Sequence, residues 1–127
     1  MTQPLPRIHA ICRNTLGAVF LYHGLVPKLL WPSATELALA QAHHFPLVSA
    51  EVMSKAAGVG EIMLALALLF WRRSLLPVHF SAFLLIVLLI DVAIVAPALI
   101  IEAFNPLSVN VACLALCWVI HLSQEKG

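Results

Sequence analysis

Four long apolar stretches, separated by short polar ones, make up this chain. A helix needs roughly 20 mostly apolar residues to cross the hydrocarbon core of a bilayer. Residues 8–30, 50–71, 76–100 and 107–122 approach or exceed that length, the last being near the lower limit. The pattern predicts an all-α fold, a transmembrane four-helix bundle forming one membrane domain over residues 1–127. No small-residue cleavage site follows the first stretch, so it reads as a span rather than a cleaved leader.

The connections carry local signals. Ser33-x-x-Glu36 reads as a capping box, with Glu36 reaching back to the cap. The run ELALAQAHHF that follows suggests a short interfacial helix, stopped by Pro46. Arg72, Arg73 and Ser74, with Pro77 nearby, form the second connection. Pro97 is a place for the third span to tilt or bend. Asn105-Pro106 reads as a tight turn.

Composition identifies the solvent. The chain is 62% hydrophobic and 10% charged, with mean hydropathy +1.00, against about 45–50% apolar and about 25% charged in soluble domains. Its partner is therefore a lipid bilayer. A net charge of +1 leaves no basic footprint for nucleic acid. Cys12, Cys113 and Cys117 are an odd number and contain no CxxC, which argues against a disulfide scaffold.

Lysine and arginine near the span ends set the expected orientation. Arg7, Arg13, Arg72, Arg73 and Lys126 fall on one side, Lys28 and Lys55 on the other. Both termini are thus expected on the cytoplasmic side of a cell (inner) membrane, in a multi-pass arrangement. Trp31, Trp71 and Trp118 sit toward span ends, as an aromatic belt would place them.

The polar residues inside the spans demand a reason. An acid or base at a helix centre costs about 2.5–3.5 kcal/mol to insert, and a leucine returns only about 0.3–0.6. Glu61 and Asp91 are both central. Glu61 should face the bundle and meet a lysine or histidine from another helix. Lys55 is too far out of phase to serve, but it suits Glu51 at the i, i+4 spacing. Glu51, Lys55, Gly58 and Glu61 form a polar stripe. Arg13, Gly17, Gly24 and Lys28 share a face, with His23 to one side, and the glycines would let another helix approach closely. Asp91, Val95, Ala98 and Glu102 share another face, and Asn110, Cys113, Cys117 and His121 a fourth.

The ligand-binding or proton-site candidates are therefore His23, Lys28, Glu51, Lys55, Glu61, Asp91 and Asn110, converging on one pocket open to the exterior. The competing reading is plain ion pairing that sets helix register. The cysteines read as small core hydrophobes. His43 and His44 are adjacent and point to different faces, so no metal site is expected there. His9 and His79 read as interfacial.

These residues carry a resemblance. Arg13-x-x-Leu16-Gly17 followed by Phe20-Leu21-Tyr22-His23-Gly24-Leu25-Val26-Pro27-Lys28-Leu29 resembles the first helix of DoxX-like membrane proteins. Gly58-x-x-Glu61 resembles the centre of their second helix. Pro97, then Phe104-Asn105-Pro106-Leu107 and Asn110, look like the late turn and last helix of one subgroup. Many relatives carry a glycine-rich run where this chain has Met63-Leu64-Ala65-Leu66-Ala67. The resemblance implies a four-helix membrane fold. Some such proteins are linked to quinone-dependent thiosulfate oxidation or to thiol-stress complexes, which implies no transferable catalytic set.

Two function classes follow. One is a pocket for a lipophilic small molecule, a quinone being the cofactor the resemblance suggests. The other is an accessory subunit that docks a membrane partner or a second copy of itself. No dinucleotide, haem or cluster motif is present, so the chain is not expected to be an enzyme on its own. As part of one it would be an oxidoreductase subunit.

Overall fold

A computed structural model describes residues 4–124. Lys126 and the polar ends of the chain lie outside the described residues. The structure is all-α. Helix α1 covers Pro4–Leu25 and continues as a π-helical turn over Val26–Leu30. Helix α2 covers Ala34–Ala42, α3 Ala50–Phe70, α4 Leu76–Val95 and α5 Pro106–Ser123, with a 3₁₀ turn at Pro97–Ile101. Helix α1 is already helical at Pro4, earlier than the expected span. Pro4 and Pro6 sit where a missing N–H leaves no helical bond unmade.

The long helices pack antiparallel. Helix α1 lies against both α3 and α5, α4 lies against α5, and the short α2 rests on α3 and α4. Arg13 reaches the end of α3 at Leu68, whereas Gly24 meets Gly58. His9 Nδ1 is 3.2 Å from Ser123 Oγ, which pairs the start of α1 with the end of α5. The core is Leu16, Phe20, Leu64, Ala65, Leu68, Val78, Leu85, Cys113, Cys117 and Ile120. Many larger apolar side chains face outward instead, among them Phe70 at 78% and Ile94 at 75% exposure. A surface of this kind suits lipid tails, not water.

Helices α3, α4 and α5 are long and apolar enough to cross a membrane. Helix α1 is not among them: Arg7, His9, Arg13, Asn14 and His23 make it the most polar of the long helices. Arg13 nevertheless has no exposed surface. Its Nε donates to the Leu68 carbonyl at 2.7 Å, Nη1 to Ser74 at 3.0 Å, and Nη2 to Trp71. Helix ends leave carbonyls without intrahelical donors, and a cation there also meets the negative end of the helix dipole. Arg13 is thus a cap on α3 rather than a free charge. One lysine ammonium cannot reproduce a planar fork of donors. Arg13→Lys should lose about 1.5–3 kcal/mol of stability, read from denaturant unfolding in micelles. An unchanged midpoint would show that the fork carries no stability.

The third span is shorter than expected. Helix α4 stops at Val95, where Ala96 leaves the helical region (φ −144°, ψ 64°). A proline disfavours helical geometry in the residue before it, and Pro97 does so here. The twenty residues of α4 still make about 30 Å of helix. The expected face Asp91–Val95–Ala98–Glu102 therefore breaks, and Glu102 is extended and exposed. Nor is Asn105-Pro106 a simple turn. Asn105 caps α5, its Oδ1 accepting from the Ser108 N–H at 2.9 Å, and Pro106 occupies the first turn.

Candidate functional site

The site begins at one helix crossing. A Cβ on Gly24 would stand 2.6 Å from the Gly58 carbonyl oxygen, and one on Gly58 would stand 2.6 Å from that of Gly24. Only glycine lets the two backbones approach this closely. Lys28 lies one turn beyond Gly24, and Glu61 nearly one turn beyond Gly58. The crossing therefore delivers an ammonium and a carboxylate to each other.

Lys28 Nζ is 3.2 Å from Glu61 Oε1 and 3.0 Å from Glu36 Oε1. Lys28 and Glu61 are both buried. A third acceptor comes from the local chain. Pro27 has no N–H to offer the His23 carbonyl, so that oxygen loses its helical donor. Lys28 Nζ donates to it at 3.4 Å. Glu36 arrives from α2. Ser33 Oγ accepts from the Glu36 N–H at 3.0 Å, one half of the expected capping box. The other half is not made, because the Glu36 carboxylate turns to Lys28.

A second pair closes the opposite end of α2. His43 Nε2 is 2.8 Å from Asp91 Oδ1 and 2.9 Å from Oδ2. His43 Nδ1 is 2.8 Å from the Leu39 carbonyl oxygen, an acceptor only. Nδ1 therefore carries a hydrogen, and the imidazolium satisfies both neighbours at once. The bond to Asp91 first, and that to Leu39 second, raise the His43 pKa above its ordinary value. A raised basic group contributes fully below its unfolded pKa and loses its contribution as pH rises through the folded one. The docking of α2 on α4 should thus be firm in mild acid and loosen from about neutral pH upward. Hydrogen exchange of α2 amides, corrected for intrinsic rates, should show this loosening, and His43→Gln should abolish its pH dependence. A wild-type profile as flat as the variant's would rule out the latch.

Between these pairs lies a cavity of about 350 Å³. Its wall is mostly apolar, including Val19, Phe20, Leu85, Leu88, Val92 and Val109. Into it come His23, Lys28, Glu36, His43, Glu61, Asp91 and Asn110. Asn110 Nδ2 donates to the Leu85 carbonyl at 3.1 Å, joining α5 to α4. Ser54 Oγ is buried on the same wall and has no hydrogen-bond partner. A second hollow of about 340 Å³ shares His23, Glu36 and Asn105 with it and is bordered by Tyr22 and Glu102.

Five of the seven expected residues meet here: His23, Lys28, Glu61, Asp91 and Asn110. Glu51 and Lys55 do not. They pair with each other at 2.9 Å on the exposed side of α3, 61% and 47% exposed. The buried residues of α3 are Ser54, Gly58, Glu61, Leu64, Ala65 and Leu68, which keep Gly58 and Glu61 of the expected stripe but put Ser54 in the place of Glu51 and Lys55. His121 also turns outward, 3.1 Å from His79 and stacked on Trp118. Glu36 and His43 were not anticipated, since both lie outside the spans. Asp91, a central acid with no assigned partner, was the available signal for His43.

A family model described as the DoxX-like family matches residues 17–118. That stretch includes the Gly24–Gly58 crossing, the three ion pairs of the site and the cavity. The chain belongs to the DoxX-like family. No curated protein and no solved structure matches it. As a DoxX-like protein with three helices fit to cross a bilayer, it is a small membrane protein. Among the described residues, this DoxX-like chain gathers no group of three or more potential metal ligands.

Proposed function

We propose that the protein is a multi-pass protein of the cell inner membrane that holds a lipophilic small molecule in its central cavity. Helix α1 is the fourth span in this reading, because Arg13 and Lys28 spend their charges inside the protein. Both termini and the Arg72-Arg73 connection then face the cytoplasm, and α2 lies at the outer surface.

The observation that carries the reading is the cavity itself. It is apolar over most of its wall and concentrates three ion pairs, Lys28 with Glu36 and with Glu61 and His43 with Asp91, on the remainder. Pockets for small molecules have this make-up, and their volumes begin at about 300 Å³. Paired charges that served packing alone would need no void between them.

A quinone-linked membrane subunit of a redox complex is the alternative. Glu61 on α3 and the His43–Asp91 pair lie along the same cavity, where a ring with two carbonyls needs protons when reduced. A partner subunit would supply the electrons.

Native mass spectrometry of protein extracted in mild detergent tests the reading. The expected result is a co-purifying lipophile that disappears in the cavity-filling variant Val109→Trp, with the helical circular-dichroism signal kept. A stoichiometric protein partner together with an empty cavity would favour a docking subunit instead.

A further inference from the structure

Helix α2 roofs the cavity: Thr35, Glu36, Leu39, Ala40 and His43 all line it. At the other end Phe20, Leu85 and Cys113 belong both to the cavity wall and to the packed core, which closes the floor. Yet no residue of α2 is itself buried. A helix with so little packing depends on the contacts at its ends, and here the two ends differ.

The end nearest α1 is fixed. The Ser33 N–H donates to the Pro27 carbonyl at 2.9 Å, Ser33 Oγ caps the helix, and Glu36 is tied to the buried Lys28. Among the described residues, the far end has a single polar tie to the helices below it. That tie is His43 to Asp91, with side chains 23% and 32% exposed. Beyond it His44 turns into the left-handed region (φ 53°), and the chain stays non-helical until Ala50.

Two acceptors face the His43 ring, the Leu39 carbonyl and the Asp91 carboxylate. The imidazolium has an N–H for each, whereas the neutral ring has one N–H for both. Asp91 on α4 is the charged group that bears on His43. On α3, Glu61 is held by Lys28, and Glu51 and Lys55 pair with each other on the exposed side. On α1, Lys28 is taken up at the fixed end, and His23 lines the same cavity.

We propose that α2 is a lid that swings about its Ser33–Glu36 end, that the His43–Asp91 pair is its catch, and that the lipophile enters and leaves past the freed His43 end. In mild acid the catch is closed. As pH rises past neutral, His43 gives up its second N–H and the lid opens, so the occupant exchanges fastest on the alkaline side. This inference rests on the reading that the cavity binds a lipophile.

Cys113, on the cavity floor and 3% exposed, reports the opening. The full-length protein in phosphatidylcholine nanodiscs is treated with 2-(trimethylammonium)ethyl methanethiosulfonate, a charged thiol reagent that stays out of lipid. Peptide mass spectrometry reads the labelling rate at each cysteine. The thiolate fraction itself rises with pH, so the wild type is compared with His43→Gln and Asp91→Asn at each pH. At about pH 6, Cys113 of the wild type should label about two- to fivefold more slowly than in either variant, the worth of a partly exposed ion pair. At about pH 9 the three rates should agree. The double variant should be no faster than either single one, because both remove the same catch. Cys117 is buried in the core outside the cavity wall, and its rate should not differ between wild type and variants. A Cys113 ratio that stays constant with pH overturns the lid. So does Cys117 labelling that climbs in step with Cys113, the mark of general loosening. A co-purifying lipophile together with a constant ratio overturns the lid and leaves the cavity reading standing. No lipophile, together with the expected labelling, sinks the cavity reading and supports the lid.

Discussion

Lys28→Met should destabilise the folded protein by about 3–5 kcal/mol, the range for removing one partner of a buried ion pair. The loss comes less from the bond itself than from what stays behind. Glu61 is 8% exposed, and Glu36 shares the same ammonium from α2. Without Lys28, two carboxylates sit close together in a low-dielectric region with no cation. Lifting the charge as well should reverse most of the damage. The triple variant Lys28→Met, Glu36→Gln, Glu61→Leu should return to within about 1–2 kcal/mol of the wild type, since apolar replacement of a buried pair is often neutral. Denaturant unfolding in micelles measures both. A neutral Lys28→Met would mean the ammonium does not neutralise its neighbours. A triple variant as unstable as the single one would place the loss in packing rather than charge.

Gly24→Ala and Gly58→Ala should each cost about 1–3 kcal/mol, the usual range for overpacking a tight contact. The added methyl would meet a backbone carbonyl oxygen at 2.6 Å, and backbone cannot swing aside as the end of a side chain can. The two changes push on one crossing, so their combined effect should fall short of the sum. Gly60 is the internal control. Nothing lies within 4 Å of a Cβ built there. Gly60→Ala should therefore stabilise α3 by about 0.5–1 kcal/mol through helix propensity alone. All three substitutions are the same chemical step, and only the crossing separates them. Equal effects at Gly58 and Gly60 would remove the crossing from the account of how Lys28 finds Glu61.

The Lys28–Glu61 pairing was within reach of the sequence because insertion cost forces it. A central glutamate must find a cation, and the first helix carries a lysine on its glycine face. The same reasoning fell short for Asp91, whose partner His43 sits at the end of a connecting helix. Helical phase is a local property, whereas a connection's return path is not. Glu51 and Lys55 fall short for a related reason. A helical wheel groups them with Glu61, yet it cannot say which edge of a polar stripe faces inward. Close packing at Gly58 decides that, turning Ser54 in and Lys55 out. Pro97 was a recognisable bend, but the length of α4 depended on Ala96 leaving the helical region altogether.

The sequence alone determined the class of this protein: all-α, oil-facing, built from long apolar helices, with acids that must turn inward. It could do so because transfer free energy and helical period are sums over neighbouring residues. Only the tertiary structure decided that Arg13 caps α3, that Glu36 and His43 come back from α2 to reach the spans, and that a cavity is left between the pairs. Those outcomes depend on how closely two backbones approach and where a loop returns, and both are contacts between residues far apart in the chain.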